Sequence, residues 1–229
     1  MPMPFRLDDV VLTPPNLWQY LGLQKAHIWE LVVSQIELIV LVMAISTISG
    51  ISLGLLVWRR RAASEFVTSI FSVILTIPSL ALMTLFIAPF GLGWMPSVVA
   101  LVLYAQLPII RNTIVGMRSV DPAVMESARA MGMGEGRVLL RIQLPLAWPV
   151  VITGLRVSTM LIFGISAIAA YVGGPGLGDL MFSGLANLGA FNSLNQTIIG
   201  AVGITLLALI FDGLFVLGRR LTTSRGIRV

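Results

Sequence analysis

Residues 121 to 145 read DPAVMESARAMGMGEGRVLLRIQLP. This polar, arginine-bearing segment lies between long apolar stretches, and its reading decides how the rest of the chain is arranged. Asp121 suits a helix N-cap, and Pro122 suits the first helical position, where a missing N–H costs nothing. Met125, Ala128, Met131 and Gly132 follow at spacings of three and four, so they share one helical face. Small residues on that face permit close approach by a partner surface. Gly132, Gly134 and Gly136 break the helix into a turn, and a second short helix is expected from about Glu135 until Pro145 opens the next apolar stretch. The GMGEG run is no dinucleotide loop, because no strand precedes it. A solvated basic loop held by anionic lipid is the plainer alternative.

The surroundings of this segment are apolar to a degree that excludes a soluble fold. The chain is 57% hydrophobic and 11% charged, with a mean hydropathy of +0.96, against about 25% charged residues in average soluble domains. A fold of 229 residues could not hide that much apolar surface from water, so its solvent is a bilayer. The absence of cysteine excludes a disulfide framework and a thiolate metal site. The basic pI of 10.7 does not point to nucleic acid, because the arginines track the ends of apolar stretches as topology signals do.

About 20 apolar residues cross a bilayer as a helix, and five stretches qualify. They run roughly over 36–58, 66–89, 95–117, 146–172 and 198–217. The expected fold is therefore all-α: a polytopic membrane protein of about five transmembrane helices with a helix-bearing loop between the third and fourth. A mixed segment from Asn16 precedes the first span and could lie along the interface. Eleven of the fifteen basic residues fall after span one, in the 121–145 loop or its approach, and in the tail, all on one side after five alternating crossings. The positive-inside bias then places the N-terminus outside and the C-terminus in the cytoplasm of a multi-pass cell-membrane protein. Three regions are expected: an extracytoplasmic segment over 1–26, a transmembrane domain over 27–220 and a cytoplasmic tail over 221–229. The proline-broken start, with Asp8 and Asp9, has no apolar core of a cleavable signal, so the first span is expected to direct insertion. The connection over 173–196 is too short for two crossings and too apolar for a plain loop. A re-entrant or interface-lying pair of short helices is expected there, provided its backbone is buried.

Candidate chemistry is sparse. A P-loop needs a lysine in a glycine frame, and the only lysine, Lys25, has no such frame. No nucleotide site, catalytic residue, cofactor or metal ligand set is therefore assigned to this chain. Three ionisable residues fall deep inside expected spans, Arg111, Arg156 and Asp212, while Glu37 sits near the outer end of span one, where it can snorkel. Such groups are costly there and either pair or face water. Two readings stay open: a polar cluster along a pathway, or an ion pair locking span five to span four or three. Tyr104 and Tyr171 lie within spans and are candidates to contact a cationic substrate through their rings. Gly164, Ile165 and Ser166 allow a different class, an intramembrane protease. Its serine needs a base, and the sole histidine, His27, precedes span one. Packing by Gly154, Gly164 and Ser166 as small residues is the alternative.

Three stretches together carry a family resemblance: LPIIRNT over 107–113, VDPAVMESARAMGM over 120–133 and AAYVGGPGLG over 169–178. Glu126, Ala128 and Gly132, followed by Ile142, Leu144 and Pro145, are spaced like the coupling loop of ABC-importer permeases, whose pattern is E-A-A, three residues, G, nine residues, I-x-L-P. Ser127 departs from it where the family usually has alanine. Over about residues 27 to 220 the chain resembles the permeases of osmoprotectant importers for glycine betaine, carnitine and choline. A permease for another small solute, such as an amino acid, is the alternative within the class. The resemblance implies a second permease subunit, identical or a sister, with two cytoplasmic ATPases that bind the ATP and an extracytoplasmic substrate-binding protein. It implies that Glu126, Ala128 and Gly132 belong to the helix that couples to the ATPase. Some relatives fuse the binding protein to the permease. Here eleven residues follow Gly218, and the binding protein is expected to be a separate chain.

Overall fold

The computed structural model describes residues 16–222, so most of the expected N-terminal segment and nearly all of the tail lie outside the described residues. No strand occurs among the described residues. The chain starts with a short helix, α1 (Leu17–Leu23), closed by a reciprocal cap: Gln19 N–H donates to the Asn16 side chain and Asn16 N–H to the Gln19 side chain, at 2.9 and 3.2 Å. The first long helix follows as α2 (Lys25–Val57). Its 33 residues reach about 50 Å at helical rise, more than the ~30 Å of a bilayer core. The expected first span is thus the far part of a longer helix, whose near part carries exposed Lys25, His27 and Glu30.

The second expected span is not continuous. It consists of α3 (Arg61–Thr76), α4 (Ser79–Leu85) and α5 (Ile87–Phe90), with a bend of 98° between α3 and the segment that follows. Pro78 causes the break, because its ring disfavours helical backbone in the residue before it. Ile77 is accordingly extended, at φ −69° and ψ 132°. Its carbonyl, left without a helical donor in an apolar setting, accepts the Tyr104 hydroxyl at 2.5 Å.

The centre of the bundle is α6 (Trp94–Arg118). The 121–145 segment supplies α7 (Pro122–Ala130) and α8 (Glu135–Val138), then a π-helical turn over Leu139–Gln143 that runs without a break into α9 (Leu144–Ser166). Pro145 was expected to start a new helix here. Instead the wider turn absorbs it: Leu144 N–H donates to the Leu139 carbonyl, five residues back. The ladder is reset just where proline cannot donate. A 3₁₀ turn (Ala167–Val172) caps this span, and α10 (Gly178–Ala186) and α11 (Ser193–Thr222) complete the chain. Among the described residues, four helices are long and apolar enough to cross a bilayer, and the bent pair makes a fifth if it is one span.

Packing is dense around α6. Leu38 and Ile39 of α2, Leu101 and Ile109 of α6, and Ile162 and Phe163 of α9 are almost completely buried. Small residues set the spacing. A Cβ at Gly54 would lie 2.6 Å from Thr113 Cβ, and one at Gly154 the same distance from Asn112 Cβ. Both therefore act as close-approach points, as small residues do between membrane helices. Gly164, expected to do the same, faces open space.

The 173–196 connection differs from the expected helix pair. It holds one short helix, α10, preceded by a glycine-rich turn with Gly174, Gly176, Leu177 and Gly178 buried. Leu177 N–H donates to Gln35 Oε1 at 3.2 Å, and Gln35 Nε2 donates to Ser166 Oγ at 2.9 Å. The irregular backbone is thus satisfied inside protein, the condition for its tolerance at membrane depth.

Candidate functional site: the two-helix loop and the arginine-bearing end

The 121–145 loop is a folded unit with a small core of its own. The Asp121 carboxylate accepts from Ala123 N–H at 2.8 Å and Pro122 occupies the first turn, so α7 starts as its sequence predicts. Its end is a Schellman motif. Met133 N–H donates to the Ala128 carbonyl at 3.2 Å and Gly132 N–H to the Arg129 carbonyl at 2.8 Å. That turn requires φ +84° at Gly132, where only glycine is unstrained. Met125, Ala128 and Val138 then form a small core of their own, with Val120, Met133 and Ile142 packed around it.

The helical face drawn from the sequence is divided by this core. Met125 and Ala128 point inward, with Ala128 1% exposed, while Met131 is 75% exposed. Ala128 holds α7 against α8, so its smallness serves the loop's own packing. Gly132 and Glu126 are both exposed, Glu126 on the side of the cleft between loop and bundle. No side chain or backbone crowds the Cβ position of Gly132.

Polar anchors fasten the loop to the bundle, and these the sequence did not single out. Arg129 Nε donates to Glu135 Oε1 at 2.7 Å, and Arg59 Nη2 donates to Glu135 Oε2 at 3.2 Å. The hydrogen bond from Arg129, then its charge, hold the Glu135 carboxyl below its ordinary pKa, with Arg59 adding to the shift. Within the bundle at the same end, Arg118 ties α6 to the end of α2 and to α3, donating to the Trp58 carbonyl at 2.9 Å and to Ser64 Oγ at 2.8 Å. Gln143, buried, donates to the Met117 carbonyl at 2.9 Å. A cavity of about 580 Å³ lies between loop and bundle, lined by Trp58, Arg118, Met125, Glu126, Arg129 and Gln143 among others. The one hint in the sequence was Glu135, an acid set between Arg129 and Arg137.

The residues expected inside spans separate into two environments. Arg156 and Asp212 meet in a two-bond fork, Nε to Oδ1 at 2.5 Å and Nη2 to Oδ2 at 2.7 Å, joining α9 to α11. Arg111 stands apart from them, on the wall of a cavity between α3 and α6. Tyr104 is 2% exposed and its hydroxyl is taken by Ile77, so in this structure it is a wall of the bundle rather than a free aromatic face. Tyr171, 60% exposed, lies at the opposite end and packs on Phe182 with ring centroids 4.4 Å apart. Ser166 donates to the Phe163 carbonyl at 2.8 Å and accepts from Gln35, a structural arrangement with no base bonded to it among the described residues.

Comparison with known proteins gives the family. Residues 46–222 match the model of the binding-protein-dependent transport system inner membrane component, and the chain belongs to this family. The choline transport system permease protein OpuBB of Bacillus subtilis is 33% identical over 93% of this chain and 96% of its own length. The glycine betaine/carnitine/choline permease OpuCD of the same organism is 41% identical over 73% of this chain and 72% of its own. The osmoprotectant import permease OsmW of Salmonella typhimurium is 34% identical over 97% and 100%. Among solved structures, an inward-facing MetNI methionine ABC transporter has a similar fold, with a TM-score of 0.73 at 20% identity over 84% of this chain and 94% of the other. The structure of an amino acid ABC transporter with histidines gives 0.71 at 20% identity, over 90% and 98%. The chain is therefore a multi-pass transport component of the cell membrane and not an enzyme, and its system includes an ATPase and a substrate-binding protein.

Proposed function

We propose that this chain is the permease of an importer for a small osmoprotectant, a quaternary ammonium compound or zwitterion of the glycine betaine, carnitine and choline class. The observation that carries the reading is identity of 33–41% to permeases named for those solutes, over most of the chain. In this reading two permease subunits, identical or sisters, stand on two ATPases, and a binding protein docks on the opposite face. The 121–145 loop couples to an ATPase through its exposed surface, to which Glu126, Met131 and Gly132 contribute, while Ala128 keeps that surface in shape from within. The N-terminus lies outside and the arginine-bearing end faces the cytoplasm. This orientation is supported by Arg59, Arg118, Arg129 and the loop meeting at one end of the bundle.

Two experiments test this. Reporter fusions at Arg61, Gly134 and Val229 are expected to report the cytoplasm and one at Asn187 the outside; the reverse pattern sinks the orientation. Vesicles holding the chain with its ATPase and binding protein are expected to accumulate glycine betaine, carnitine or choline only with ATP inside the nucleotide-facing compartment. Uptake of amino acids with none of these three would remove the osmoprotectant reading and leave the permease.

A further inference from the structure

The helix α3 is amphipathic in a place where a lipid-facing helix is not. Ser64, Glu65, Thr68, Ser69, Ser72 and Thr76 recur every three to four residues along it, and Glu65, Ser69, Ser72 and Thr76 are exposed. A hydroxyl-rich stripe of this kind does not face hydrocarbon; it lines water, a partner or a ligand. Opposite it stands α6, and between them lies a cavity of about 590 Å³, within the ~300–1,000 Å³ of small-molecule sites.

Arg111 is the group in that cavity left without a partner. Among the described residues its guanidinium makes no hydrogen bond and no ion pair, unlike Arg156, which is matched by Asp212. It sits seven residues before Arg118, about 10 Å along α6 by helical rise, and is exposed to the cavity. Arg118 marks the mouth, spending its donors on neutral acceptors, the Trp58 carbonyl and the Ser64 hydroxyl. The one acid on the wall, Glu65, is engaged at 2.9 Å by Arg61. The cavity therefore keeps an excess of positive charge, with free hydroxyls of Ser69 and Ser72 beside it.

We infer that this cavity is a way-station for cargo, in which Arg111 receives the carboxylate of a zwitterionic solute, assisted by the hydroxyl face of α3. The inference rests on the importer reading above and adds to it a chemical distinction. Choline has no carboxylate and cannot use Arg111, whereas glycine betaine and carnitine can. A planar guanidinium holding a carboxylate through two N–H groups is a directional, charge-assisted contact that a neutral side chain does not replace.

The test has two arms. In the assembled wild-type transporter, phenylglyoxal modification of Arg111 is followed by mass spectrometry, with the loop residue Arg137 as reference. Glycine betaine and acetate are expected to slow modification of Arg111 and not of Arg137, while choline does not protect. Equal protection by choline and acetate, or no protection by either, overturns the inference. In the second arm, uptake is measured for Arg111→Gln and Arg111→Lys. Arg111→Gln is expected to shift the glycine betaine to choline uptake ratio by roughly tenfold or more, the loss of one hydrogen bond to a charged group, and Arg111→Lys to shift it less. A ratio within about twofold of wild type in Arg111→Gln also overturns it, being short of that hydrogen bond. Should wild-type vesicles accumulate none of the three solutes, the cargo class falls, and protection of Arg111 by acetate still decides the carboxylate site.

Discussion

Gly132→Ala separates strain within the coupling loop from contact with a partner. The substitution adds one carbon to a position with φ +84° and open space around its Cβ, so nothing is displaced and the whole cost is backbone strain. For an L-residue in the left-handed region that cost is about 1–2 kcal/mol. It falls on two hydrogen bonds, Gly132 N–H to Arg129 and Met133 N–H to Ala128, which close α7 and seat Met133 on the small core of Met125, Ala128 and Val138. Local opening of the loop should therefore rise by a factor of about 5–30. Amide hydrogen exchange at Gly132 and Met133 reads this directly, and the amides of α6 serve as an unaffected reference. Gly134→Ala is the control, because Gly134 has ordinary backbone at φ −68° and equally open space. A variant with D-alanine at 132, which prefers positive φ, should restore slow exchange. If L-alanine at 132 and at 134 behave alike, the conformational reasoning is wrong. Gly132→Trp carries the same strain plus bulk on the outward side. It is expected to abolish uptake and weaken ATPase association while the chain still inserts, and normal uptake would count against the loop as the coupling element.

Asp212→Ala is expected to lower the thermal stability of the detergent-solubilised protein by leaving Arg156 unmatched, and the double change with Arg156→Ala to recover part of the loss; additive losses would mean the fork contributes no coupling. Tyr104→Phe strips the donor from the Ile77 carbonyl at the break of span two. The expected cost is about 1–3 kcal/mol, read as a lower unfolding midpoint. Glu135, whose pKa is depressed in the fold, fastens the loop fully above the ordinary carboxylate range, and its contribution is lost as pH falls through the lowered folded value. Loop exchange in wild type should therefore converge on that of Glu135→Gln only in acid below that range, and added salt should narrow the gap at neutral pH because both partners are largely exposed.

What was legible in the sequence, and what was not, follows the range of the interactions involved. Apolar runs and the Asp121–Pro122 start depend on neighbours within a turn or two, and the helices stand where those signals put them. The Arg156–Asp212 fork was also within reach, because two spans consecutive in the bundle bring ionisable groups of similar depth together and lipid leaves them little alternative. Two breaks were misplaced although proline marks both. Pro78 bends a span that reads as continuous, since hydropathy does not register the extended residue before it. Pro145 was expected to interrupt and does not, since a π turn resets the ladder upstream. Ala128 shows why a motif position does not fix a role. Smallness at 128 is needed equally by a docking surface and by an internal core, and only the placement of Val138 and Met133 decides for the core. The same limit hid Arg59, Arg118 and Gln143, whose partners lie 76, 60 and 26 residues away along the chain. The seating of the loop on the bundle is therefore set by Arg59, just past the end of α2, and by Gln143 in the π turn, and substitutions at these two anchors are expected to speed amide exchange in the loop.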